Sequence, residues 1–306
     1  MTSPSGKRPD PFRLLGVIVA LLLLVAACRP TAQTFDGARA LKHAAAQLDF
    51  GPRPVGTDAN VKTGDYIIRV LESNGWEVEE QTFAHEGLQV RNIIGKKGEG
   101  PIIMLGAHYD TRPVADKDPG DRSQPVLGAN DGASGVAVLL ELSRALDERA
   151  TDDATIWLTF FDAEDRDGVM GWPCCVGSGH MADSISTGLT ERPEYVIVVD
   201  MVGDVDQQFY FDWNSSLWLQ ERLFDIAADL GYQHHFTPSH RYSIVDDHIP
   251  FLNWGMNAAV LTDFDYTYWH TRYDTLDKIS ADSLQRVGDV LETLLEGEPF
   301  SAGPVK

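Results

Sequence analysis

Cysteine is nearly missing from this chain: of 306 residues only Cys28, Cys174 and Cys175 are cysteines. Two of them are neighbours, and adjacent cysteines cannot close a long loop, so a scaffold stapled by disulfides is excluded. Positive charge is also short. Lys and Arg number 25 against 46 Asp and Glu, for a formal charge of -21. Nucleic-acid binding needs basic patches, and this acidic balance excludes that class; it also opposes peripheral docking on an anionic membrane. Its plain consequence is solubility. Internal repeats and low-complexity stretches are absent, which excludes solenoids and arrays. What is present is an ordinary globular composition, 43% apolar, in a length that suits one large α/β domain or two small ones.

The N-terminus reads as a targeting segment. Lys7, Arg8 and Arg13 lead into an apolar run from Leu14 to Ala27, too short for a comfortable membrane span. The run ends in Leu24-Val25-Ala26-Ala27-Cys28, which resembles the bacterial lipobox, whose cysteine is lipidated and becomes the first mature residue. The expectation is a signal peptide over 1–28, a tether over 29–35 and one folded domain over 36–300. The protein would be exported and held by Cys28 to a bacterial membrane, facing the periplasm or the cell exterior. A plain secretory peptide cut near Ala27, or a short uncleaved anchor, is the alternative. Outside the cytoplasm, Cys174-Cys175 is either a vicinal disulfide or two buried thiols, and thiolate binding of a metal stays open in principle.

Apolar periodicity predicts helices over 35–48, 60–74, 134–147, 177–184, 216–230 and 280–295. Half-buried strands are expected over 76–83 and 88–95, followed by a turn at Lys96-Lys97-Gly98-Glu99-Gly100. Continuous apolar runs at 101–106, 155–161, 195–199 and 257–262 suit strands buried on both faces, with a further strand at 208–213. Buried strands alternating with helices predict a single α/β domain. Its central sheet would be mixed and mostly parallel, flanked by helices on both faces.

In such a sheet, ligands bind beyond the carboxyl ends of the strands. The polar residues placed there are consistent. His108 and Asp110 follow the first buried run, and Asp131 lies just before the helix at Ser134. Asp162, Glu164 and Asp165 follow the second run, Asp200 the third, and Asp263, Asp265 and Trp269-His270 the last. Each has a plain explanation taken alone. Asp131 would cap a helix, Glu164-Asp165 would be a solvated loop, Asp200 would accept backbone hydrogen bonds and His270 would be a loop histidine. Together, like charges gathered in one cleft repel unless a cation neutralises them. Histidine and carboxylate ligands without cysteine suit zinc, with a position left open for chemistry.

The ordered set His108-Tyr109-Asp110, Gly128-Ala129-Asn130-Asp131-Gly132-Ala133-Ser134-Gly135, Phe161-Asp162-Ala163-Glu164-Asp165, Asp200-Met201-Val202-Gly203 and Trp269-His270-Thr271 resembles family-28 metallopeptidases. That family holds zinc aminopeptidases and the related glutaminyl cyclases. The likeness runs from about Gly51 to the last helix. It implies that Asp131, Asp165 and His270 bind the principal zinc and that Glu164 is the general base and acid. In two-zinc aminopeptidases His108 and the Asp200 position hold a second metal, bridged through Asp131. In cyclases one zinc suffices and the Asp200 position handles the substrate amine.

Three features resemble the cyclase branch. Asp246-Asp247-His248-Ile249-Pro250-Phe251-Leu252 is similar to a cyclase segment whose first aspartate hydrogen-bonds in the active site. Trp269 precedes the ligand histidine, as in cyclases, where it lines the substrate pocket. Trp172 matches a second pocket tryptophan at a longer spacing; core packing is the alternative for both tryptophans. There are departures. Val260 falls near the place of a histidine that cyclases carry, the Asp131 segment is as typical of peptidases, and Asp165 replaces a more usual glutamate.

The resemblance implies a zinc-dependent glutaminyl-peptide cyclotransferase acting on peptide or protein N-termini, with Glu164, Asp200 and Asp246 catalytic. A di-zinc aminopeptidase is the rival, and a non-catalytic lipoprotein of this fold is the minor alternative. A monomer is expected.

Overall fold

The computed structural model describes residues 34–297. The signal peptide and lipobox expected over 1–28, and the tether as far as Gln33, lie outside the described residues. Among those described, no helix is long and apolar enough to cross a membrane.

Asp36 opens α1 (Gly37–Leu48), its carboxylate accepting from the Ala38 and Arg39 amides. The helix begins after Phe35 rather than at it. Phe35 is buried instead, and its amide donates to the Glu292 carboxylate. Thr57 caps α2 (Asp58–Ser73) in the same way, accepting from the Asn60 amide. Next come β1 (Glu77–His85) and β2 (Leu88–Gly98), joined by Glu86-Gly87 with φ of 49° and 80°. Two left-handed residues are what the favoured two-residue hairpin turn requires, and glycine supplies the second without strain.

The turn expected at Lys96–Gly100 starts later than the sequence suggested. β2 continues through Lys96 and Lys97, pairing with β1 on one edge and β4 on the other. Lys96 is kept in the strand by Glu79 at 2.6 Å and by the Trp157 ring at 4.4 Å. A long charged side chain covers apolar surface while its head stays wet.

The chain continues with β3 (Ile102–His108), α3 (Ala133–Ala145), the short α4 (Glu148–Thr151), β4 (Thr155–Phe161), α5 (Val176–Ser186) and β5 (Tyr195–Asp200). It ends with β6 (Phe209–Asp212), α6 (Leu217–Asp229), β7 (Phe236–Tyr242), α7 (Ile249–Asn253), β8 (Asn257–Thr262) and α8 (Ala281–Glu296). The six-stranded sheet has the order β1-β2-β4-β3-β5-β8; β1, β2 and β4 pair antiparallel, and β4, β3, β5 and β8 run parallel. β6 and β7 form a separate parallel pair with an irregular register.

Each parallel strand alternates between two cores. Leu105, Ile156, Leu158, Ile197, Val199 and Leu261 face α1, α2, α3, α6 and α8. Met104, Trp157, Val196, Val198, Ala258 and Val260 face α5 and α7. Burial on both faces is why these strands read as unbroken apolar runs.

β7 and α7 are not anticipated by the sequence pattern. β7 carries Pro238, which a central strand would not tolerate but an edge pairing does. The five residues of α7 are too few to show a helical period.

The helix α3 lies against the sheet through Gly135, where an added Cβ would come within 2.2 Å of the Val199 carbonyl oxygen. Gly135→Ala should therefore destabilise the protein by about 1–3 kcal/mol through overpacking. The expected outcome is a lower denaturant midpoint with an unchanged slope.

Candidate metal centre

The four parallel strands end on one side of the sheet, and the residues that follow them converge. His108 is the last residue of β3, and its ring is buried. Its Nε2 lies 3.1 Å from Asp200 Oδ1, at the end of β5, and 3.2 Å from Asp131 Oδ1. Its Nδ1 lies 3.6 Å from Asp110 Oδ1 and 3.9 Å from Glu164 Oε2.

Asp131 does not cap a helix. Gly132 occupies the cap position of α3, without a side-chain bond, so the Asp131 carboxylate is free to face the centre. Its loop is pinned from behind. The Asn130 and Asp131 amides donate to the Asp274 carboxylate at 2.8 and 3.1 Å. The fully buried Arg53 donates to the carbonyls of Tyr109, Leu127 and Gly128.

The turn after β4 is fixed by similar means. Ala163 adopts a φ of 62°, and the next two amides, Glu164 and Asp165, donate to the two Asp110 oxygens at 3.1 Å each. Asp165 Oδ1 then lies 3.2 Å from His270 Nε2 and 3.4 Å from Arg112 Nη1. His270 itself has a φ of 55°. Its Nε2 is 3.6 Å from Asp131 Oδ2, and its Nδ1 faces Asp116 Oδ1 at 3.4 Å. Arg112 bridges this rim by clamping Asp116 with Nε and Nη2 at 2.7 and 2.8 Å.

Two groups result, His108 with Asp131 and Asp200, and Asp131 with Asp165 and His270. Within each, ligand atoms lie within 4.8 Å of one another, and Asp131 belongs to both. Asp131 presents Oδ1 to the first group and Oδ2 to the second. Among buried polar atoms without a hydrogen-bond partner are Asp131 Oδ2 and Asp165 Oδ2. Native proteins rarely leave such atoms unpaired, so unpaired oxygens on two residues of one ligand group fit a cation that completes them. The donors are carboxylate oxygen and imidazole nitrogen, a set that suits zinc.

The electrostatics point the same way. Burial pushes Asp165 up to about 6 and Asp200 up to about 7, with neighbouring carboxylates adding to both. Burial also lifts Glu164 well above the usual carboxylate range, against the opposing pull of His108. For His108 burial acts downward, yet Asp110, Asp131 and Asp200 draw it well above its ordinary value. His270 is likewise raised against its burial by Asp165 and Asp131. Asp131 is lowered despite burial, because His108 and His270 flank it.

The remaining sequence-nominated residues surround this centre. Glu164 is outside both groups but beside His108, and 16% of its side chain stays accessible. Asp246 is buried within electrostatic reach of His108, Asp131 and Asp200, and accepts from the Asp247 amide. The Trp269 ring lies 4.0 Å from the His270 ring and 5.2 Å from Phe264, half-buried, with Lys117 over it at 5.4 Å. Trp172 is buried with Val55, Val90, Ala163 and Val176, a cluster that backs the turn carrying Glu164. Arg53, Arg112, Asp116 and Asp274 are not marked as site residues by the sequence, and Asp110 only by its place at a strand end. Their partners are distant in sequence, and no motif marks them.

A mixed sheet that brings histidines and carboxylates together beyond its parallel strands has the build of a metal-dependent α/β enzyme. Residues 90–295 match the profile of peptidase family M28; the chain belongs to that family and is an enzyme of it. The glutaminyl-peptide cyclotransferase of Drosophila melanogaster is 27% identical over 284 residues, covering 80% of this chain and 78% of that protein. Glutaminyl cyclase of Bacteroides thetaiotaomicron, solved with N-acetylhistamine, superposes with a TM-score of 0.80 at 28% identity, over 88% of this chain and 100% of that one. A Zn-dependent exopeptidase from Parabacteroides distasonis gives the same TM-score of 0.80 at 28% identity, over 88% and 100%.

The raised groups set a sign for pH. Without metal, the fold holds protons on Asp165, Asp200, His108 and His270 that the unfolded chain releases at lower pH. That stability is present on the acid side and is lost as pH rises through about 6 to 7. The chelator-treated protein should melt at a higher temperature near about pH 5.5 than near about pH 8. Zinc requires deprotonated ligands, so the zinc-loaded protein should show the opposite slope. Calorimetry of both forms checks the crossing.

Proposed function

We propose that this chain is a zinc-dependent glutaminyl-peptide cyclotransferase, converting N-terminal glutamine of peptides to pyroglutamate with release of ammonia. The observation that carries this reading is Asp246, buried within electrostatic reach of Asp200. It adds a second carboxylate where a substrate amine would dock, outside both metal-ligating groups. The likeness to cyclases from an insect and a bacterium supports it.

Asp131, Asp165 and His270 would hold the zinc. When bound, zinc supplies a Lewis acid for the glutamine side-chain carbonyl. Asp200 and Asp246 hold and orient the α-amine. Both are raised by burial, so between them they share protons readily with a docked ammonium. Glu164 takes a proton from the amine as its nitrogen attacks the γ-carbonyl carbon. The carboxyl form that results returns that proton to the departing ammonia. A carboxylate lifted well above its usual range suits both halves of this exchange near neutral pH. Trp269 lies beside His270 at the rim and covers the glutamine side chain, keeping water from the attacking amine. Trp172 supports the Glu164 turn from behind through Ala163.

A second reading has its own observation. Asp131 is shared between two ligand groups, which suits a di-zinc aminopeptidase with His108 and Asp200 on the second ion. Glu164 would then take its proton from water attacking the first peptide bond. In either case the proposal includes export, with Cys28 lipidated and the enzyme working on peptides outside the cytoplasm.

Glu164→Gln should lower turnover by at least about a hundredfold while leaving zinc content unchanged. Undiminished activity in that variant removes Glu164 as the proton carrier. Offered peptides beginning with Gln and with Leu, a cyclase releases ammonia without shortening the chain. A peptidase releases a free amino acid and retains closer to two zinc ions per chain, a result that overturns the cyclase reading.

A further inference from the structure

Glu164 has a pair of neighbours that neither reaction uses. Its Oε1 lies 3.7 Å from the sulfur of Cys174 and 3.9 Å from that of Cys175. The two cysteines are joined to each other in a disulfide. A disulfide has no S–H to donate, so in this form the sulfurs meet the carboxylate without a hydrogen bond. The two sulfurs differ in access. Cys174 is partly exposed, whereas Cys175 is 3% exposed and forms the N-cap of the eleven-residue α5. A thiol arriving from solvent therefore reaches Cys174 Sγ. The sulfur it expels is that of Cys175, at a helix N-terminus, where negative charge is favoured.

Both sulfurs and the Glu164 oxygen lie within 4.8 Å of one another. Two thiolates and one carboxylate in that space make a soft donor set. It differs in kind from the oxygen and nitrogen donors gathered around Asp131.

We propose that Cys174-Cys175 is a reducible site that, once opened, captures a thiophilic ligand. The ligand class is a soft divalent cation, with Glu164 as its third donor, or a trivalent arsenical held by the two sulfurs alone. Opening requires a dithiol. One of its thiolates attacks Cys174 Sγ, the S–S bond breaks, and Cys175 leaves as a thiolate that takes up a proton. The second thiol of the reductant then displaces Cys174 from the mixed disulfide. The dithiol departs as a disulfide, and both electrons and both protons reside on the two cysteines. A ligand then bound to the sulfurs, coordinated by Glu164 or only packed against its carboxylate, stops its proton transfer. The loss of turnover rests on the role given to Glu164 above; the capture itself does not.

The test uses the purified zinc-loaded enzyme, exposed to dithiothreitol and freed of excess. Reduction should add two titratable thiols per chain, those of Cys174 and Cys175. Cadmium should then give thiolate-to-cadmium ultraviolet absorption, which a centre without cysteine cannot produce. One equivalent of phenylarsine oxide should remove most turnover, and excess dithiol should restore it. C174S/C175S, measured against its own uninhibited rate, should show neither the absorption nor the loss. E164Q should bind cadmium at least about tenfold more weakly and take the arsenical unchanged. The proposal is overturned if no thiols appear in the folded enzyme. It is equally overturned if the reduced enzyme gives no thiolate absorption, or if the double variant is inhibited like the parent. Capture that leaves turnover intact upholds the ligand site and instead removes Glu164 from the reaction.

Discussion

Asp131, Asp165 and Asp200 are carboxylates withdrawn from water, Asp131 within reach of each of the other two, and charges placed so repel unless protons or a cation neutralise them. Much of the surrounding architecture answers that constraint. His108 and His270 lie between the acids, Arg112 joins Asp165 to Asp116 at the rim, and Arg53 is buried behind the Asp131 loop. A divalent ion shared by these oxygens and nitrogens would satisfy what the protein's own cations leave unbalanced.

Holding the acids in place is a separate task, and backbone amides perform it. Asp110 gathers the amides of Glu164 and Asp165, and Asp274 gathers those of Asn130 and Asp131. The chain bends sharply to allow this. Ala163, Met201 and His270 adopt φ of 62°, 46° and 55°, each next to or at a residue of the centre. Left-handed backbone costs energy in a residue with a side chain, and it persists where surrounding contacts over-determine it. The carboxylates that anchor amides are thus distinct from those that converge at the two candidate ligand groups, and both kinds are buried.

The same centre can serve two chemistries because each needs a proton carrier beside a Lewis acid and a place for an amine. What separates them lies at the margin. In the proposed cyclase Asp246 and Trp269 would enlarge the amine and side-chain subsites, whereas the sharing of Asp131 between two ligand groups favours a pair of ions. Glu164 is the proton carrier in both proposed reactions, and it lies between His108 and the Cys174-Cys175 sulfurs.

Legible in the residues alone were the α/β class, the buried strands and the strand-end positions of His108, Glu164, Asp165 and Asp200. Runs of apolar residues ending in acids are local patterns, and both faces of a parallel sheet must be buried. It did not reveal β7 or α7, whose proline and brevity erase the periodic signal. Tertiary structure alone decided that Asp131 turns to the centre instead of capping α3, because Gly132 takes the cap and Asp274 holds the loop. It alone placed Arg53, Asp116 and Asp274, and brought Cys174-Cys175 against Glu164. Those relations join residues far apart in the chain, and no spacing within a segment can encode a contact that exists only after the sheet has closed.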